Sequence, residues 1–279
     1  MTVTIIGVGL IGGSMAIALK EKGLTDKVIG VDNNIIHGQK ALALGLVDEM
    51  SDLDDAIEQS QLIVLAIPVD AVEELLPKVL DKVHQQVVMD AGSIKFKVLE
   101  AIKEHPKKGR FVATHPMWGT EYSGPEAAVK GAFEGKATVI CNREESDKDA
   151  LHLVEELYKG LKMQLVYMDA EEHDVHVAYV SHISHITSFA LANTVLEKEK
   201  GEDAIFTLAS GGFESTVRLA KSNPDMWVPV FMQNRENVLD VLNEHISQLR
   251  KFKACLEKEN YEYLKDLIVN ANQIGKIIK

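Results

Sequence analysis

Short apolar runs rich in valine and isoleucine alternate with longer segments of helical spacing over the first 168 residues. TVTIIG (2–7), KVIGVD (27–32), QLIVLAIP (61–68), QVVMDAG (86–92), RFVATHP (110–116) and ATVIC (137–141) read as strands, with QLVYM (164–168) as the last. Between several of them the apolar positions step by three and four, as with Val72, Leu75, Leu76, Val79 and Leu80, which predicts amphipathic helices. Strands of this composition separated by helices predict a parallel sheet covered on both faces. From Asp169 onward the strand signal ends. Residues 171–200 form a long, mostly apolar helix candidate, and helical patterns follow near 202–222, 225–255 and 260–278. The expected organisation is therefore an α/β domain over 1–168 and an all-α domain over 169–279, joined without a flexible linker composition.

Composition narrows the partners. With 46% hydrophobic and 26% charged residues and seven prolines, the 279-residue chain reads as soluble and globular. Its net charge of -12, from 30 basic and 42 acidic residues, disfavours nucleic acid and anionic membranes as partners. The longest apolar runs, such as LIVLAIPV, are too short to cross a bilayer, and the N-terminus lacks the marks of a signal peptide. Cys141 and Cys255 form no redox or metal pair, as expected of reduced thiols in a cytoplasm.

The first strand runs into GVGLIGGS, where Gly7, Gly9 and Gly12 make G-x-G-x-x-G at a strand-to-helix turn. The first glycine permits a tight turn, the second a close approach of pyrophosphate to the backbone, and the third close packing of helix on strand. Phosphates would sit on the free N–H groups of the helix N-terminus, beside Leu10 and Ile11. Asp32 follows Gly12 by twenty residues at the end of KVIGVD, where its carboxylate would accept from both adenosine ribose hydroxyls. DNNIIHGQ holds no arginine for a 2′-phosphate, so NAD is expected rather than NADP. Ligands of such Rossmann-type sheets lie outside the carboxyl ends of the strands, which brings in Ile67 and Pro68 of AIPVDAV, DAGSIK and THPMWGTE.

In the last of these, His115 precedes Pro116 at a strand end, and a histidine can take a proton near neutral pH. It could equally satisfy a strand-end carbonyl. Ser93 has a similar ambiguity between an active hydroxyl and an ordinary helix N-cap. His173, His176, His182 and His185 fall on one predicted helix, but at 100° per residue the first pair points nearly opposite to the second, so no metal site is expected. Arg218 follows a glycine pair in SGGFESTVRLAKSNPDMW, where it could bind a carboxylate bidentately or pair with a neighbour such as Glu214.

Taken together, GVGLIGGS, DAGSIK, THPMWGTEYSG, YVSHISHITSFAL and GGFESTVRLAKSNPDMW closely resemble the prephenate/arogenate dehydrogenase family of tyrosine biosynthesis, in the same order and through the whole chain. The resemblance implies a Rossmann domain joined to a helical domain that builds a homodimer, with NAD as cofactor. By resemblance, His115 is the general base on the ring hydroxyl of prephenate, supported by Ser93, and Arg218 binds a substrate carboxylate. His182, Gly211, Trp227 and Thr120 would line the pocket, and Glu121 matches an acidic residue that closes the site in some members. Tyrosine could enter the same pocket as an inhibitor. No chorismate mutase segment stands in front and there is no room for a regulatory domain behind, so the resemblance is to the monofunctional form. Ser215 departs from relatives that carry an acid near the arginine, which weakens an acid-linked gate.

Three other readings compete. Arogenate differs from prephenate only by an amino group in place of the side-chain keto oxygen. A 3-hydroxyacid dehydrogenase would carry a lysine in the long linking helix, and VSHISHITSFALANTV has none. A non-catalytic dinucleotide-sensing module would not need His115, Ser93 and Arg218 together. Apolar surface on 170–196 and 225–255 exceeds what one small domain requires, which favours a dimer.

Overall fold

In a computed structural model of the chain, residues 1–199 and 208–277 are described. Eight strands form one sheet: β1 (Thr2–Ile6), β2 (Lys27–Val31), β3 (Glu49–Met50), β4 (Leu62–Leu65), β5 (Val87–Asp90), β6 (Phe111–Pro116), β7 (Ala137–Cys141) and β8 (Gln164–Met168). Their order across the sheet is β3-β2-β1-β4-β5-β6-β7-β8. Both faces are covered, as the unbroken apolar strands require. On one face Val3, Ile5, Leu62, Val64 and Met89 meet α1 (Leu10–Glu21) and, further along the chain, the helix Lys148–Gly160. On the other, Ile63, Leu65 and Val88 meet α2 (Val69–Lys82) and α3 (Phe96–Ala101).

All neighbouring strands are parallel except β6 and β7, where His115 stands opposite Val139 and Pro116 opposite Thr138. The expected sheet was parallel throughout, and the reversal has a local cause. A parallel return needs a crossover, usually a helix, but the segment after β6 contains Pro125 and takes positive φ at Gly124, Gly131 and Gly135. Such a segment turns back at the same end of the sheet. The two-residue β3 was also not expected, being too short for any periodicity to show.

Residues 1–234 form one compact unit and 235–279 a second. In the first, the helices Ala170–Val177 and Ile183–Glu199 are joined through a π-helical turn, Ala178–His182, so the long predicted helix is interrupted. The helices Gly211–Val217 and Pro224–Gln233 follow. The start of the helix expected near 202–222 and the final residues of those expected over 171–200 and 260–278 lie outside the described residues. In the second unit the helix Arg235–Glu257 turns into Tyr261–Ala271 at Asn260, whose side chain accepts from the Tyr263 N–H.

The ends of β5 and β6 are tied by a fully buried ion pair between Lys95 and Asp90. Asp90 Oδ1 accepts the Thr114 N–H at 3.0 Å and Oδ2 the Gly92 N–H at 3.0 Å, while Lys95 Nζ also donates to the Thr114 carbonyl at 2.7 Å. Removing one partner of such a pair leaves a buried charge uncompensated. Lys95→Met is accordingly expected to lower the unfolding free energy by about 3–5 kcal/mol, measured by urea denaturation; a change within error would show that the pair does not brace the strands.

Candidate active site

The glycine-rich turn is built as its spacing requires. Gly7 has φ +92, and a Cβ there would lie 2.5 Å from the Ala66 carbonyl oxygen. At Gly12 a Cβ would come within 1.9 Å of the Gly7 carbonyl oxygen, so α1 can rest on β1 only without one. Gly9 differs: a Cβ there would meet nothing within 4 Å, and no side chain caps the helix it begins. Its uncapped N–H groups face open space, an arrangement that suits an anion. Asp32, at the end of β2, accepts from the N–H groups of Val8 at 3.0 Å and Asn34 at 2.8 Å, which ties its carboxylate to this turn. The donors, the open approach and the carboxylate fit a dinucleotide.

Beside the turn lies a cavity of about 480 Å³, outside the carboxyl ends of β4, β5 and β6. It gathers Gly9, Leu10 and Ile11 from the turn, Ile67 and Pro68 after β4, Ser93 after β5 and His115 at the end of β6. From farther along the chain come Thr120, Glu121, His182, Arg218 and Trp227. Gly7, Gly12 and Asp32 are not among the lining residues, nor is Gly211, which opens the exposed helix Gly211–Val217.

Arg218 is 52% exposed and its Nη1 donates to Glu121 Oε2 at 2.8 Å. Glu121, rather than Glu214, is thus its partner in this state. Backbone hydrogen bonding and the Arg218 guanidinium hold the Glu121 carboxyl below its ordinary range.

The histidine-bearing helix contributes more than its expected geometry allows. In a regular helix nine residues turn about 900°, placing His173 and His182 on opposite faces. The π-helical turn Ala178–His182 takes up about one extra residue, so the step acts as about eight and the angle falls to about 80°. Both rings accordingly come near His115, and Asn234 Nδ2 donates to the Asp174 carbonyl at 2.7 Å and lies 3.3 Å from His182 Nδ1. Since the carbonyl can only accept, the amide NH2 faces both, and His182 Nδ1 must accept. The His182 proton then lies on Nε2, which is buried and has no hydrogen-bond partner among the described residues. Burial pushes its pKa down to about 4, so this ring is a neutral donor at neutral pH.

His185 also lines the cavity, stacked on Trp227 with ring centroids 3.5 Å apart. It was grouped with the metal candidates in the sequence, and no three His, Cys, Asp or Glu side chains converge on a metal position among the described residues. Trp227 is fixed from below by Val69, Ile94 and Val230. His115 reaches the cavity from the other wall. Burial, with His173, Lys95 and His182 nearby, holds its pKa well below the usual histidine range. Sequence reasoning weighed His173 and His185 only as metal ligands, and missed Asp174 and Lys95. Lys95 lies inside the DAGSIK motif, where nothing in the sequence separates it from Lys97 two residues on.

The arrangement offers an acceptor at His115, a neutral donor at His182 and a guanidinium at Arg218 around a partly aromatic cavity. Residues 15–167 match the family described as prephenate dehydrogenase, nucleotide-binding domain, and residues 169–270 the one described as prephenate dehydrogenase, dimerization domain. Prephenate dehydrogenase of Bacillus subtilis is 32% identical over 269 residues, covering 94% of this chain and 72% of its own. Cyclohexadienyl dehydrogenase of Zymomonas mobilis is 28% identical over 265 residues, with 94% and 90% covered. The crystal structure of prephenate dehydrogenase from Aquifex aeolicus with hydroxyphenyl propionate and NAD+ superposes with a TM-score of 0.91 at 32% identity, covering 100% of this chain and 98% of that one. By sequence along most of its length, this chain belongs to the prephenate dehydrogenase family.

Proposed function

We propose that the protein catalyses the oxidative decarboxylation of prephenate to 4-hydroxyphenylpyruvate with NAD+. The observation that carries this is the meeting of His115, Ser93, His182 and Arg218 with the glycine turn in one cavity. Residues 1–168 would hold the nucleotide and 169–279 the substrate and the dimer contacts. Gly9, Leu10 and Ile11 would hold the pyrophosphate and Asp32 the adenosine ribose, with Ile67 and Pro68 flanking. When bound, NAD+ supplies the hydride acceptor.

Prephenate carries a ring hydroxyl, a ring carboxylate opposite it and a pyruvyl side chain. His115 accepts the hydroxyl proton as the carbon bearing that hydroxyl loses its hydride. The forming carbonyl draws the electron pair from the ring–carboxylate bond, carbon dioxide leaves, and the ring becomes aromatic. Ser93 supports the contact at the hydroxyl. Arg218 binds a carboxylate, exchanging it for Glu121. The buried His182 Nε2–H donates to a substrate oxygen, and Trp227 and Thr120 complete the wall. Gly211 would join them only after a rearrangement of its helix. Tyrosine presents a similar ring and carboxylate and is expected to compete for the same contacts. The two free, buried cysteines suit a cytoplasmic location, and no helix among the described residues is long and apolar enough to cross a membrane.

NADH formation from prephenate and NAD+, followed by absorbance, tests the reading; silence with this pair would overturn it. In that assay His115→Asn is expected to lower kcat by at least about 10²-fold with NAD+ affinity unchanged, whereas Arg218→Ala is expected mainly to raise KM for prephenate. The base form of His115 is the neutral one, so a lowered pKa moves the acidic limb of kcat/KM downward. The profile should stay flat through about pH 6.5, the ordinary histidine value, and fall only below it; a fall centred above that value would contradict the role. Sedimentation at micromolar concentration is expected to give twice the chain mass, and a monomer would refute the homodimer.

A further inference from the structure

On the side of His115 away from the cavity, two more polar side chains continue in line. His115 Nδ1 lies 2.8 Å from His173 Nε2, with the rings edge to face and their centroids 5.1 Å apart. His173 Nδ1 lies 2.8 Å from Asp174 Oδ1. His173 and Asp174 are both buried.

The positions of the protons follow from the far end. Asp174 Oδ1 accepts the Lys95 N–H at 2.9 Å, and Oδ2 accepts the Phe96 N–H at 2.9 Å. A carboxylate held by such donors is the ionised form and can only accept. The proton between it and His173 therefore sits on His173 Nδ1. Neutral His173 then has a bare Nε2, which must accept from an N–H on His115 Nδ1. The opposite tautomer of His115 would set two lone pairs against each other across 2.8 Å. His115 is left with a bare Nε2, and among the described residues it makes no second hydrogen bond.

We propose that His173 and Asp174 are positioning residues that fix His115 in the tautomer whose Nε2 accepts the substrate proton, and that share its charge once the proton has arrived. The proposal rests on the reading of His115 as the base. When the hydroxyl proton reaches His115 Nε2, the ring becomes an imidazolium whose Nδ1–H still donates to His173. Transfer of that Nδ1 proton to His173 Nε2 moves the positive charge next to the Asp174 carboxylate; no bond other than these N–H bonds changes, and no electron is gained or lost. The other groups facing His115 do not supply this compensation. Lys95 is a cation already paired with Asp90, and His182 is neutral.

Asp174 also holds the backbone at Lys95 and Phe96, so substituting it would disturb more than the relay. His173 makes no such backbone contact with its side chain, and the test falls there. His173→Phe removes the acceptor, whereas His173→Gln keeps a side-chain oxygen that can accept from His115 Nδ1. His173→Phe is expected to lower kcat about 10²-fold, with KM for prephenate and NAD+ affinity near those of the unaltered enzyme, and His173→Gln to recover most of the loss. Unchanged kcat in His173→Phe would overturn the proposal. Nitrogen NMR of ring-labelled, unaltered protein reads the tautomer directly, whether or not the variant folds: a proton on His115 Nδ1 and a bare Nε2 are expected at neutral pH, and the reverse would overturn it. Full turnover in His115→Asn would instead remove His115 as the base, and the spectrum would still report which nitrogen carries the proton.

Discussion

The placement of Ser93 and His115 depends on one interaction, the buried ion pair of Lys95 and Asp90. Taking two charges out of water costs several kcal/mol for each ion, and their attraction offsets this only when the remaining hydrogen-bonding capacity is also used. Here it is used on the ends of β5 and β6: Asp90 takes the N–H groups of Gly92 and Thr114, and Lys95 takes the Thr114 carbonyl. The segment carrying Ser93 is thereby fastened to the strand carrying His115. Such a pair contributes position more than stability, and position is what a proton transfer needs, since proximity and alignment of reacting groups lower the barrier directly.

The same economy of contacts continues into the helical segment. Asp174 receives the Lys95 and Phe96 N–H groups, so the carboxylate that ends the histidine chain also anchors the start of the helix Phe96–Ala101. A single buried carboxylate links the segment after β5, that helix and His173. Two of the groups facing the cavity are held in one protonation state: burial, with His173, Lys95 and His182 nearby, depresses the pKa of His115, and burial keeps His182 neutral.

Much of this was legible in the sequence, for reasons that differ by residue. The glycine turn could be read because backbone geometry there admits almost no other residue: a Cβ at Gly12 would sit 1.9 Å from a carbonyl oxygen. Most strands could be read because burial on both faces leaves a continuous apolar run. His115 and Arg218 stood out only with the surrounding motifs, since a lone histidine or arginine has ordinary alternatives. What could not be read depends on contacts distant in sequence. The reversal of β7 reflects what the preceding segment fails to form, and β3 is two residues long. The partnership of His115 with His173 spans 58 positions and has no periodic signature. Nor was the π-helical turn foreseen: the segment 171–200 is mostly apolar, so no polar face marks where its register shifts.

That turn bears on how the site could have arisen. A helix carrying one surplus residue is what remains when a single codon is inserted and the surrounding packing is too good to unwind. Before such an insertion His182 would have pointed away from the His173 face, and every residue after it would have stood roughly a quarter-turn from its present bearing. One codon would thus have brought His182, and the stacked His185 after it, to the cavity at once, recruiting a preformed helix face into chemistry without changing any of the side chains on it.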